Sequence, residues 1–285
     1  ADVNLCNNDG TSPLWTACCN RHDRTAQILL NSGADVNLCK GDGAGPLYVA
    51  CQEGHESTVQ LLLKSSADIT LCTNDGSSPL YVACCRGHAN IVQVLLENGA
   101  DVNLPEHGGG SPLYIACYRG HEKTANVLLN KGANVNQCKS NGASPLYAAC
   151  QNGRGSIVHL LLRNGADASI CMNDGACPLF VACEIGHKTV VETLIETDAG
   201  VNLCMGDGTS PLYVASQRGH EDIVQLLLDK GALVNLCNKY NSSPLYAACF
   251  WGYCSIAQLL LNNGADINLF MGDGSSPPSP IKRFI

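Results

Sequence analysis

The sequence predicts an all-α solenoid of stacked helix-turn-helix units joined by hairpin-like loops, on three observations. Nine prolines, Pro13, Pro46, Pro79, Pro112, Pro145, Pro178, Pro211, Pro244 and Pro277, recur every 33 residues without an insertion or deletion, and their surroundings recur with them. Most copies place a serine before the proline and a glycine after each of two segments, the usual start and stop signals of short helices. The second segment of each copy carries apolar residues at helical spacing. A period of this length marks supersecondary units too small to bury their own apolar faces, so neighbours must stack. Function is then expected on a surface rather than in a convergent pocket.

The third unit, Asn74 to Glu106, shows the elements in order. Ser78 caps a helix that opens on Pro79, the residue best suited to the first helical position, and the helix should run to about Cys85. Leu80, Ala83 and Cys84 give it one apolar side, and Gly87 ends it. A second helix carries Ile91, Val92, Val94, Leu95 and Leu96, and Gly99 supplies the left-handed stop. Ala100 to Leu104 then leads through an extended stretch into the next Gly-rich turn. Ala recurs four residues after each proline, from Ala17 through Ala116 to Ala248, where neighbouring helices are expected to approach closely.

Charge and composition exclude several function classes. Seventeen basic against 25 acidic residues give a net charge of -8 with no basic stripe, so no nucleic acid partner is expected. The longest apolar runs are triplets such as Leu61-Leu62-Leu63, so this segment is not expected to insert into a membrane. The chain opens within a repeat at Ala1-Asp2-Val3-Asn4, and it reads as a piece of a longer protein.

Fourteen of the 18 cysteines follow the period in two ladders. One lies five residues after the proline: Cys18, Cys51, Cys84, Cys117, Cys150, Cys183 and Cys249, with Ser216 as the exception. The other comprises Cys6, Cys39, Cys72, Cys138, Cys171, Cys204 and Cys237, interrupted by Pro105 and ended by Phe270. Equivalent positions in packed neighbours stand about 8 to 10 Å apart, whereas a disulfide wants Cα atoms within about 7 Å. Bridges along a ladder are disfavoured, and the chain reads as intracellular and reduced, with a cytoplasmic location expected.

The motif Ser-Pro-Leu-Tyr-x-Ala-Cys-x-x-Gly-His-x-x-Ile-Val-x-Leu-Leu-Leu-x-x-Gly-Ala-Asp-Val-Asn resembles the ankyrin repeat. The resemblance covers residues 7–271 as eight units, with 1–6 as the end of a preceding repeat and 272–285 as a degenerate ninth and frayed tail. It implies antiparallel helix pairs with β-hairpin loops, stacked into an array whose concave face and loop tips bind other proteins. Departures are local. The usual Thr-Pro-Leu-His reads Ser-Pro-Leu-Tyr, with Trp15 and Phe180 as variants; Ser66 and Asp198 replace the helix-stopping glycine, and Arg21 replaces the mid-repeat glycine. The first, second and sixth units are therefore expected to be strained.

The remaining motifs have structural readings. His55, His88, His121, His187 and His220 form a row that spreads along the stack rather than converging on a metal, and imidazole bonds to loop carbonyls are expected. His107 and His159 lie off this row, and nothing marks either as catalytic. The glycine triplets lack the Lys-Ser or Lys-Thr of a phosphate loop. No catalytic residue, cofactor or metal is expected. The first-ladder thiols read as small buried hydrophobes; the second ladder lies on a surface with no packing role, open to redox sensing, soft-metal capture or inheritance by duplication. Asn37, Asn103 and Asn268 keep the acidic residue of a pattern that, in similar ankyrin loops, is a substrate of an asparaginyl hydroxylase, although loop hydrogen bonding also accounts for them.

Because the copies are alike, candidate binding residues are those that differ. Arg86, Tyr118 and Arg119 stand out in the third and fourth units beside His107, and Tyr240, Phe250, Trp251 and Phe270 stand out in the eighth. Aromatic and arginine side chains dominate interface hot spots. The alternative for the eighth unit is shielding by a ninth repeat. The leading function is a non-catalytic scaffold for a protein partner. The alternatives are a structural or spacer region of a larger protein, such as a ubiquitin-ligase adaptor or a channel's cytoplasmic domain, and a thiol-based redox or metal sensor.

Overall fold

A computed structural model describes residues 2–197 and 199–269. The chain divides into two units, Ala1–Ser140 and Asn141–Ile285. Unit 1 holds α1 (Pro13–Cys19), α2 (Asp23–Asn31), α3 (Pro46–Glu53), α4 (Glu56–Lys64), α5 (Pro79–Arg86), α6 (Ala89–Glu97), α7 (Pro112–Arg119) and α8 (Glu122–Asn130). Unit 2 holds α9 (Pro145–Gln151), α10 (Gly155–Arg163), α11 (Pro178–Ile185), α12 (Lys188–Ile195), α13 (Pro211–Arg218), α14 (Glu221–Asp229), α15 (Pro244–Trp251) and α16 (Cys254–Asn262). Within each unit, first helices pack on first helices and second on second: α1, α3, α5 and α7 form one row of unit 1, and α9, α11, α13 and α15 the same row of unit 2.

Local chemistry builds each pair as the sequence implies. The Ser78 hydroxyl accepts the Tyr81 N–H at 3.1 Å, Pro79 opens α5, and Gly87 closes it in the left-handed region at φ 79°. The same serine cap recurs at Ser12, Ser111, Ser144, Ser210 and Ser243. Arg21 and Ser66 take the left-handed conformation of the glycines they replace, at φ 56° and 64°, which is the strain expected of the first and second units. Asp198 lies outside the described residues, as does the tail expected over 272–285.

The interior is built from the repeat's invariant small and branched residues. Ala50, Ala83, Ala116, Ala149, Ala182, Ala215 and Ala248 are fully buried, as are Leu62, Leu95, Leu128, Leu161, Leu194, Leu227 and Leu260 from the second helices. First-ladder cysteines pack among them. Each loop tip turns as a hairpin without regular strand among the described residues: the Lys40 N–H reaches the Ala44 oxygen and the Gly43 N–H the Lys40 oxygen. Successive tips are tied by one backbone bond, such as Asn74 N–H to Asp42 O at 2.9 Å and Gly206 N–H to Asp174 O at 3.1 Å.

Candidate functional site: two grooves lined by first helices and loop tips

The side chains that vary between repeats sit at the sixth and seventh residues after each proline, on the last turn of each first helix. In unit 2 this last turn, together with the loop tips, lines a groove of about 720 Å³. Tyr240, Phe250 and Trp251 meet there, exposed by 59%, 55% and 56%. Phe250 packs edge-on against Trp251 with ring centroids 5.4 Å apart, and lies 6.1 Å from Tyr246. Sequence reasoning missed the rest of the wall: Phe180, Tyr213 and Tyr246, one aromatic per repeat two residues after the proline, and Met205. The signal was present as a 33-residue column of aromatics, read as packing. Function was expected without a convergent pocket; the helix row and the tips instead make an open groove, because the tips rise beside the first helices.

Acidic groups complete that wall. Asp207 is buried enough to push its carboxyl up, but the Thr209 hydroxyl and N–H bonds and the nearby Lys239 outweigh this and leave it below its ordinary value. Glu184 is neutralised by Arg218, whose guanidinium donates to it at 2.6 Å. Burial raises the Tyr213 phenol above its ordinary value, so this ring of the wall stays uncharged at neutral pH.

Unit 1 builds a groove of about 620 Å³ from equivalent positions, with different chemistry. Arg86 and Arg119 line it with Tyr48, Tyr81, Gln52 and Cys85. Tyr118 does not line the groove; its ring stacks on Tyr114 at 6.3 Å and the Arg119 guanidinium lies 5.9 Å from its centre. His107 is likewise separate, an exposed loop-tip residue whose N–H donates to the Asp75 carbonyl and whose ring lies against Gly76. Phe270, the remaining candidate, lies outside the described residues.

The histidine row is structural, and its acceptors correct the expectation of loop carbonyls. His55, His88, His121 and His220 donate from Nε2 to the carbonyls of Cys19, Gln52, Cys85 and Glu184 at 3.0 to 3.2 Å. These are last-turn carbonyls of the preceding first helix, which lack intrahelical donors. The rings lie so close to the preceding Gly54, Gly87 and Gly186 that a Cβ there would come within 2.6 Å of the ring. Among the described residues no three His, Cys, Asp or Glu side chains gather closely enough to hold a metal ion.

The loop cysteines need a similar correction, since they do have a packing role. Cys6, Cys39, Cys72, Cys138, Cys171, Cys204 and Cys237 are half-buried, and each thiol donates to the carbonyl two residues earlier at 3.2 to 3.5 Å. Desolvation raises Cys39, Cys72, Cys138, Cys171, Cys204 and Cys237 above the ordinary thiol value, so each holds less thiolate than a free cysteine. Asn37 and Asn103 staple neighbouring repeats: their side-chain oxygens accept the N–H of Asp68 and Asn134 at 2.8 Å. Asn268 is exposed, with its own N–H on Asp266.

Three comparisons bear on this geometry. A family model described as ankyrin repeats (3 copies) matches residues 1–73, 65–138, 132–204 and 179–271. Among solved structures, the human ASB11 ankyrin repeat domain superposes with a TM-score of 0.72 at 30% identity, over 78% of this chain and 99% of that one. No curated protein matches the chain. With 588 solved chains matching, the fold is shared too widely to specify a partner.

Proposed function

Because the chain belongs to the ankyrin-repeat family, whose repeats are generally protein-protein interaction modules, we propose that it is a non-catalytic protein-binding array and that the unit 2 groove takes a segment of the partner. The observation that carries this reading is the convergence of Tyr240, Phe250 and Trp251, more than half exposed, on one groove with Phe180, Tyr213 and Tyr246. Stiff aromatic side chains bury large area with little loss of rotamer freedom, which is why a few of them dominate binding energy. Exposed apolar surface of this extent costs solubility unless something covers it. The ladder thiols that burial raises, among them Cys51, Cys84 and Cys117 of the first ladder and Cys39, Cys72 and Cys204 of the second, support a binding role over a redox one. All 18 cysteines are free, which fits a reducing compartment, and no helix among the described residues is long and apolar enough to cross a membrane.

The test is selection of displayed random peptides on the full chain and on the Phe250→Ala, Trp251→Ala variant, with circular dichroism confirming that both fold. Peptides bearing large apolar side chains should be enriched on the wild type and lose at least about 2 kcal/mol of affinity for the variant. Recovery of the same peptides on both proteins would show that the groove is not the binding site.

A further inference from the structure

The arginines of unit 1 differ from their counterpart in unit 2 in one respect that points to a ligand. Arg86, Arg119 and Arg218 occupy the same position of their repeats, seven residues after the proline, at the end of α5, α7 and α13. Arg218 finds a carboxylate on the preceding first helix, Glu184, 34 residues earlier. The corresponding residues for Arg86 and Arg119 are Gln52 and Cys85, neither of which carries charge. Both guanidiniums are exposed and have no ion-pair partner among the described residues. Asp75 lines the same groove, but its carboxylate is engaged by its own loop, accepting from the Thr73 hydroxyl and the Ser77 N–H.

We propose that the unit 1 groove binds an extended acidic segment of a partner protein, with Arg86 and Arg119 each taking one of its carboxylates. Guanidinium and carboxylate pair in a planar, two-bond fork, and these charge-assisted bonds are the strong ones. Packed helices stand about 8 to 10 Å apart, and a segment in the extended polyproline II conformation rises about 3.1 Å per residue with three residues per turn. Acidic residues three apart in such a segment fall on one face about 9 Å apart and therefore match the two arginines. Tyr48 and Tyr81 line the same groove and offer the intervening residues an apolar wall.

The experiment is fluorescence anisotropy with the full chain and a fluorescein-labelled Gly-Ser peptide of about twelve residues carrying glutamate at every third position. The wild type should bind it, more weakly at high salt. Replacing Arg86→Gln and Arg119→Gln should weaken binding by roughly tenfold or more per arginine. The Gln52→Glu, Cys85→Glu variant keeps both arginines but supplies the carboxylates that Arg218 already has, and it should weaken binding comparably with helix content unchanged. Phe250→Ala with Trp251→Ala should leave it unaltered, which separates this site from the unit 2 groove. Absence of binding, equal binding to either charge variant, or equal binding of a peptide with the same glutamates clustered at one end would overturn the proposal. Binding of a single-stranded oligonucleotide in place of the peptide would overturn it too.

Discussion

Unit 1 and unit 2 are the same scaffold carrying different surfaces. Both stack four helix pairs with proline-led first helices and fully buried alanines. The groove of unit 1 presents two guanidiniums without an ion-pair partner among the described residues, whereas that of unit 2 presents exposed rings and a carboxylate, Glu184, already paired with Arg218. The difference comes from two positions per repeat, the last residues of the first helix. Cys85-Arg86 and Tyr118-Arg119 stand in one unit where Glu184-Ile185 and Phe250-Trp251 stand in the other. Stacking energy is carried by the invariant residues, so these positions are free to vary without loss of fold.

The comparison extends into the interior, where it predicts the largest effect. Unit 1 buries four first-ladder thiols, Cys18, Cys51, Cys84 and Cys117, while unit 2 has Ser216 in one place and a less buried Cys249 in another. Burial pushes Cys18 up to about 12 and Cys51, Cys84 and Cys117 higher still, and pushes Tyr48 up to about 12. Unit 2 fully buries Cys150 and Cys183 and adds the less buried Cys249 and the off-ladder Cys177; burial pushes Cys183 well above its ordinary value, raises Cys249, and raises Cys177 to about 11. A protonated thiol or phenol is neutral, so a folded value above the unfolded one means that the unfolded chain binds fewer protons between the two. Stability is then complete below the ordinary thiol value of 9.0 and is lost as pH rises from there through about 12. Unit 1 should lose more. The chain has two tryptophans, Trp15 in unit 1 and Trp251 in unit 2, so Trp15→Tyr and Trp251→Phe variants report one unit each. Urea midpoints at pH 8 and pH 10.5 should fall further for the Trp15 reporter; equal falls, or a larger fall in unit 2, would break the comparison.

A smaller effect tests the same idea inside unit 1, where two equivalent threonines differ only in what the preceding second helix offers. Thr58 is buried on α4, and its hydroxyl donates to Asp23, the first residue of α2. Thr124 is equally buried on α8, but Ala89 stands where Asp23 would be, and its hydroxyl has no hydrogen-bond partner. The bonds from Ser57 and Thr58 also hold Asp23 below its ordinary value against the upward push of its burial. Thr58→Val should cost about 1 to 2 kcal/mol, while Thr124→Val should be neutral or stabilising by up to about 1 kcal/mol. Denaturant midpoints decide it, and equal losses at both sites would show that the Asp23 bond contributes nothing.

How much was legible follows from what repeats and what does not. The helix pairs, their serine caps and the strain at Arg21 and Ser66 could be read from one copy, because they depend on residues within a few positions of each other. Tyr240, Phe250 and Trp251 stood out as departures from the pattern. The remaining walls of the grooves did not stand out, because Phe180, Tyr213 and Tyr246 occupy the pattern itself. Contacts between repeats were hidden for a different reason. The Arg218–Glu184 pair, the Asn37 staple and the histidine bonds join residues 31 to 36 apart, a separation that stacking geometry sets and no local motif announces.

The smallest effect concerns the cap that unit 2 lacks. Six first helices begin with a serine whose hydroxyl accepts an N–H at 3.1 Å, but α11 begins with Cys177, buried, with no side-chain bond of that kind. Sulfur is a weak acceptor, so the first-turn N–H groups of α11 are less well satisfied than those of its neighbours. Cys177→Ser should therefore stabilise the chain by about 0.5 to 1 kcal/mol, and Ser144→Cys should cost a similar amount. The two substitutions exchange the same atoms in neighbouring repeats, so opposite shifts of equal size in the denaturation midpoint would isolate the cap. If Cys177→Ser instead destabilises, the apolar packing of the buried thiol outweighs the missing hydrogen bond, and the cysteine at this cap is part of the core of unit 2.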